Sequence, residues 1–206
     1  MTSPAISVFV CGPSSSGKTT LCNALAKHLA LDSNLYIRET ARKVMQTQGF
    51  SRKDVHTYEM KFAILTAQVA AEDMAIQHVS QMDRIDGQPI ILSDRSGMDA
   101  VVYADLDPDG AEQKSQLTRL EPFNRAVERY RDSLFIVLEP VQEWIVDDGV
   151  RSLYGVKEYH SHFIQFLQQW QVPFKQLGPE VLSLDERVSD VIAWIDEHQQ
   201  HRGIIH

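Results

Sequence analysis

The sequence predicts an α/β fold built on a parallel sheet with helices on both faces. Two observations carry this expectation. Five β-type runs alternate with helical segments along the chain, and strands that alternate with helices pair in parallel under covering helices. The first run opens directly into Gly12-Pro13-Ser14-Ser15-Ser16-Gly17-Lys18-Thr19. That segment matches G-x-x-x-x-G-K-[ST] at every fixed position, and apolar residues at helical spacing follow it.

Taken in order, Ile6-Ser7-Val8-Phe9-Val10-Cys11 is the first strand, and Thr20 to Leu29 the helix behind the glycine loop. Asn34 to Glu39 is the second β-type run. A long helix is expected from Asp54 to Met82. Ser51-Arg52-Lys53-Asp54 resembles its capping signal, and Val55, Tyr58, Phe62, Leu65, Val69 and Ile76 form its apolar stripe. Pro89 to Asp94 is the third run. Asp105-Leu106-Asp107-Pro108-Asp109-Gly110, in the weakly patterned stretch Asp105 to Gln116, reads as an acidic turn joining two helices. Ser133 to Leu138 is the fourth run. Glycine and charges fill Arg151 to Tyr159, where a lid over a site would lie. Val172 to Leu177 is the fifth run, with Pro173 suited to an edge or a strand start. A last helix opens near Ser183, with Glu186 three residues on and Val188, Val191, Ile192 and Ile195 as its apolar face.

The glycine loop has a definite chemistry. Backbone N–H groups that wrap a phosphate must converge inward, and Gly12 and Gly17 permit the angles and close approaches a Cβ would block. A helix beginning at Lys18 turns its partly positive end toward the same anion. Lys18 is expected to reach the β- and γ-phosphates, and the Thr19 hydroxyl to ligate Mg²⁺. Strand, loop and helix together make a cradle for a nucleoside triphosphate.

At 206 residues, the chain is expected to form a single domain over 1–206. Its 28 acidic against 20 basic residues argue against a broad nucleic-acid or membrane surface. Two cysteines, Cys11 and Cys22, lack zinc spacing and are expected to be reduced, which points to a cytoplasmic protein. No signal-peptide pattern opens the chain, and no stretch is apolar enough to span a bilayer.

A second layer of residues surrounds the loop. Asp94 ends an apolar strand, where a carboxylate can hold Mg²⁺ or take a proton from an attacking hydroxyl; a helix N-cap is the plainer role. Arg95 follows, either on phosphate or in a surface ion pair. Asp94-Arg95-Ser96-Gly97 also fits D-x-x-G, a GTPase switch signature, but no N/T-K-x-D guanine signature follows. Nor does a glutamate follow Asp94 to polarise water. Both absences favour transfer to a bound acceptor over hydrolysis. Glu39 leaves the second strand at the carboxyl edge, where open α/β sheets bind ligands. It could bind or deprotonate an acceptor, or merely favour a helix dipole, and Arg42 could pair with an anionic substrate. Gln68 lies on the long helix, facing either an acceptor pocket or solvent. Asp147-Asp148-Gly149-Val150-Arg151-Ser152 is either a solvated acidic loop or the carrier of an arginine, Arg151, that swings onto the transferring phosphoryl group.

In this order, Gly-x4-Gly-Lys-Thr, Arg38-Glu39-x-x-Arg42, Ala67-Gln68, Asp94 and Asp148-Gly149-x-Arg151-Ser152 resemble the ribosylnicotinamide kinase-like P-loop family. That family is often grouped under an AAA-type ATPase domain heading. The resemblance spans Ile6 to Ile195. It implies a P-loop kinase fold with a five-stranded parallel sheet in the order 2-3-1-4-5 and a lid near 147–160. It implies ATP and Mg²⁺ as cofactors and a small-molecule hydroxyl acceptor, a nucleoside such as ribosylnicotinamide among the candidates. ATP would lie on Gly12, Ser14, Ser15, Ser16, Gly17, Lys18, Thr19 and Thr20, and Mg²⁺ on Thr19 and Asp94. Lys18, Asp94, Glu39 and Arg151 would be catalytic, and Glu39, Arg42, Gln68 and Arg95 would bind the acceptor. Family members acting on ribosylnicotinamide often carry a fused adenylyltransferase domain, and no such domain is expected within these 206 residues. The competing reading is a nucleotide-binding regulatory switch with no small-molecule acceptor.

Overall fold

Every residue of the first strand is buried or nearly so, and alternation sorts them between two cores. β1 (Ile6–Cys11) sends Ile6, Val8 and Val10 to one face of the sheet and Phe9 and Cys11 to the other. A strand covered on both faces favours apolar residues throughout, and β1 reads as a nearly continuous apolar run in which Ser7, the least buried position, is the polar exception. The computed structural model describes residues 5–82, 88–141, 144 and 156–203. β3 (Ile90–Asp94) and β4 (Leu134–Leu138) flank β1 in parallel, β2 (Tyr36–Ile37) lies outside β3, and β5 (Phe174–Leu177) lies outside β4. The order is β2-β3-β1-β4-β5, as the family resemblance implies.

Helices α1 (Lys18–His28) and α8 (Leu184–Gly203) cover one face through Leu21, Leu25, Val188, Val191 and Ile195. The other face packs against α3 (Tyr58–Gln81), α4 (Gly97–Asp105), α5 (Gly110–Thr118), α6 (Glu121–Tyr130) and α7 (Val156–Gln169). This second core is aromatic. Phe9 stacks on Phe135 at 4.7 Å and meets Tyr130 edge-on at 4.9 Å. Each buried ring contributes ~1.5–3 kcal/mol from burial. The remaining helix, α2 (Thr40–Gln48), follows β2.

Two elements differ most from expectation, each for a local reason. The second strand shrinks to Tyr36–Ile37, because Asp32 caps a 3₁₀ turn over Ser33–Leu35 instead. The Ser51/Asp54 capping box exists, but it closes a separate 3₁₀ turn at Arg52–Asp54. The long helix starts at Tyr58, behind Thr57, whose hydroxyl accepts from Met60 N–H at 3.4 Å. Its inward face also differs. Phe62 and Ile76 are exposed, whereas Lys61, Leu65, Gln68 and Glu72 are buried at a spacing of four, three and four. The acidic turn is as expected between α4 and α5, but it ends at Gly110 and Gln116 is helical.

Candidate active site

Parallel register brings the site together. Val10 stands beside Asp94, and Arg95 N–H donates to Val10 O at 3.0 Å. The carboxyl end of β3 therefore lies against the start of the glycine loop. Thr19, one residue into α1, donates to Asp94 Oδ2 at 2.6 Å. Asp94 Oδ1 is buried and has no hydrogen-bond partner. Burial pushes the Asp94 carboxyl above the ordinary carboxylate range, against the opposing pull of Arg95 and the Thr19 hydrogen bond. Asp94 caps no helix; Ser96 and Asp99 form the capping box of α4.

The loop is closed on its own lysine. Lys18 Nζ donates to Pro13 O at 2.5 Å and to Ser16 Oγ at 3.3 Å. Burial, helped by the Arg95 guanidinium, lowers the Lys18 pKa to about 7. Gly12 has φ 150°, and a Cβ there would meet Leu138 O at 2.8 Å. Gly17 caps α1 with φ 86°, no side chain caps that helix, and no acid occupies its first turn. Its leading N–H groups thus face the loop mouth as a ready anion site.

Two cavities flank this loop. One, of about 470 Å³, opens over Ser15, Gly17, Lys18, Thr19 and Thr20, and its far wall is Trp144, Leu182, Leu184 and Arg187. The other, of about 170 Å³, lies on the Ser14 side. Glu39 and Arg42 from the start of α2, Lys61 from α3, Arg95 and Asp99 beside β3, and Tyr103 and Asp107 beyond them give its polar lining. Met45, Met60, Ile64 and Leu106 make the rest apolar.

Arg95 is neither on the surface nor free. It is 7% exposed, with φ 85°, a conformation that costs a non-glycine residue free energy. Its Nη1 meets Asp99 Oδ1 at 3.0 Å and Gly12 O at 3.4 Å, and its Nε lies 3.6 Å from Glu39. Asp99 also accepts from the Tyr159 hydroxyl at 2.6 Å. Arg42 is half exposed, 3.8 Å from Glu39. Gln68 lines neither cavity and is buried beneath the turn. Its Nε2 lies within hydrogen-bond reach of Ser93 Oγ at 3.0 Å and Arg95 O at 3.2 Å, and its Oε1 accepts from the Thr40 hydroxyl. Neither of the two faces expected for Gln68 is the one it takes. Beyond it, Glu72 accepts from Gln68 and from the Tyr130 hydroxyl, and burial raises its pKa to about 7.

Sequence reasoning missed Lys61, Glu72, Asp99, Tyr103, Asp107 and Arg187. Lys61 donates to Val55 O at 2.8 Å and pairs with Asp107, which also meets His56 Nδ1 at 2.6 Å. The helical interval from Lys61 to Gln68, on the same face as Leu65, was the available signal for the first of these. The lid residues 147–155, with Asp148 and Arg151, lie outside the described residues. Among the described residues, no helix is long and apolar enough to cross a membrane.

A family model described as an AAA domain matches residues 7–187, and the chain belongs to that family. NadR in complex with NR superposes with a TM-score of 0.75 at 24% identity, over 96% of this chain and 52% of that one. NadR in complex with NAD and AMP-PNP gives 0.72 at 22%, over 96% and 50%. Deoxyadenosine kinase from M. mycoides with bound dATP gives 0.56 at 10%, over 93% and 99%. The chain spans about half the length of the NadR chains it matches. These likenesses establish the P-loop kinase-like fold. No curated protein matches the chain significantly.

Proposed function

From membership of this P-loop AAA-domain family, we propose that the chain is an ATP-dependent kinase transferring the γ-phosphoryl group to the hydroxyl of a small molecule. The observation that carries the reading is the pair of cavities on opposite sides of one phosphate loop. A switch or a hydrolase needs the donor side alone; a kinase needs both. The likeness to kinases and to NadR bound to NR supports a nucleoside-type acceptor such as ribosylnicotinamide.

ATP would lie on residues 12–20 with its base toward Trp144 and Leu184. Lys18, turned out of the loop onto the β- and γ-phosphates, would neutralise charge as the phosphoryl group moves. The residues fit Mg²⁺: Asp94 Oδ1 is buried without a partner, and the Thr19 hydroxyl lies against the same carboxylate. Thr19 and Asp94 would hold the ion, which would supply charge neutralisation on the phosphates. Glu39 lines the acceptor-side cavity and Asp94 does not. That division supports Glu39 as the carboxylate that orients the acceptor hydroxyl and takes its proton. Arg42 would bind the acceptor and Arg95 would hold Glu39 in place. Arg151 keeps its proposed role on the transferring group.

The test is acceptor-dependent ADP release from ATP·Mg²⁺ across nucleosides including ribosylnicotinamide, nucleoside monophosphates and unrelated small alcohols, with Lys18→Ala as the blank. A strong signal from one class is expected. A flat panel despite tight nucleotide binding would transfer the weight to the regulatory switch.

A further inference from the structure

Among the described residues, two buried arginines border the phosphate loop, and only one of them is in an ion pair. Arg95 faces Asp99 and Glu39. Arg187, in the first turns of α8, is 2% exposed; among the described residues it forms no ion pair, and Glu180 is the carboxylate that acts on it, at longer range. Two of its nitrogens are anchored to the loop before α8: Nε donates to Val181 O at 2.6 Å and Nη2 to Gly178 O at 3.3 Å. Nη1 is buried with no hydrogen-bond partner.

That third nitrogen has a defined position. It lies 3.9 Å from where a Cβ on Gly17 would stand, directly over the cap of α1. The Trp144 ring covers the guanidinium at 4.6 Å and reaches within 3.1 Å of the same point. Arg187 also lines the donor-side cavity with Lys18 and Thr20. A buried cation without a paired anion costs free energy unless a ligand supplies one, and a guanidinium held by two carbonyls is preorganised for an oxyanion.

We propose that Arg187 is a phosphate-binding residue of the donor site, its Nη1 donating to an oxygen of the nucleotide's phosphate chain. The inference rests on the donor-side reading above, and it adds a contact from the far end of the sequence to a site the loop motif alone would describe. Both carbonyl anchors are backbone atoms of one short connection, so the guanidinium is fixed before any ligand arrives.

The test is calorimetric titration of Mg²⁺-tripolyphosphate, ADP and adenosine into wild type, Arg187→Met and Arg187→Gln. Loss of one charge-assisted hydrogen bond should weaken tripolyphosphate and ADP alike by ~10- to 100-fold and leave adenosine unchanged. Arg187→Gln retains a donor for the Val181 carbonyl, so it decides the matter should the methionine variant fail to fold. Tripolyphosphate binding as tight as wild type overturns the proposal, as does a loss confined to adenosine. A wild-type protein that binds neither ADP nor tripolyphosphate overturns it together with the donor reading beneath it.

Discussion

The two cavities beside the phosphate loop are built by opposite means. The donor side is largely one continuous stretch: Ser15 to Leu21 supply a glycine cap, a lysine, a hydroxyl and the free N–H groups of a helix end. The proposed acceptor side draws on α2, α3, α4, the turn after β3 and the turn between α4 and α5, and of its charged residues only Glu39 and Arg42 share a motif. On the proposed reading, the difference teaches that backbone chemistry binds what every donor has in common. On the same reading, side chains gathered from distant elements would select what one acceptor has to itself.

The sharpest way to break that division is Lys18→Ala. We expect acceptor-dependent turnover to fall by ~10²- to 10³-fold, the scale of losing one preorganised charge contact, with the melting temperature held. Turnover at the wild-type rate would dissolve the donor side. On the acceptor side, Glu39→Gln should reduce kcat by about 10²-fold while the Kd for ADP stays constant. A change in ADP affinity with kcat intact would move Glu39 across the loop.

Between the two lies Gln68, whose amide ties the Thr40 hydroxyl beside Glu39 to the Arg95 carbonyl beside Asp94. Gln68→Met keeps the volume and removes both ties. We expect a kcat lower by ~10-fold with the KM values for both substrates within about twofold, since the change touches neither cavity. Raised KM values at constant kcat would return Gln68 to the substrate.

The smallest effect sharpens the electrostatics. Lys18 titrates near pH 7 because burial disfavours its charge. At pH 8 it is largely neutral in the empty protein, and a bound phosphate should draw a proton onto it. ADP binding should therefore take up protons at pH 8, far less so at pH 6, and not in Lys18→Met. Calorimetry in two buffers of different ionisation heat reads this directly, and equal heats in both at pH 8 would refute it. The sign for stability follows: the penalty on the empty fold is full below about pH 7 and fades as the pH rises toward the unfolded lysine's 10.5.

Much of the fold was legible in the chain. β1 is the run Ile6–Cys11 read from its apolar continuity, and the five-stranded order follows from the family resemblance. Helix α3 was legible in kind and not in orientation. An apolar stripe through Phe62 and Ile76 is the better guess from hydropathy, yet the helix buries Lys61, Gln68 and Glu72. Those side chains can be buried because Asp107, Ser93 and Tyr130 satisfy them, and all three lie at least 25 residues away in sequence. Arg95 reads similarly: its position after β3 and Asp99 four residues on were visible, but its other partner, Glu39, reaches it only when β2 and β3 align.

The sequence by itself determined the parallel α/β fold, the glycine loop and the residues proposed to bind phosphate within it. Each of these rests on neighbours in the chain: periodicity, glycine conformations and a helix end. Only the tertiary structure decided that Gln68 supports the site without lining it, that Arg42 and Lys61 border one cavity, and that Arg187 stands over Gly17. Burial and charge pairing are properties of residues brought together from far apart, and a local pattern carries no record of which partner will satisfy a buried polar group.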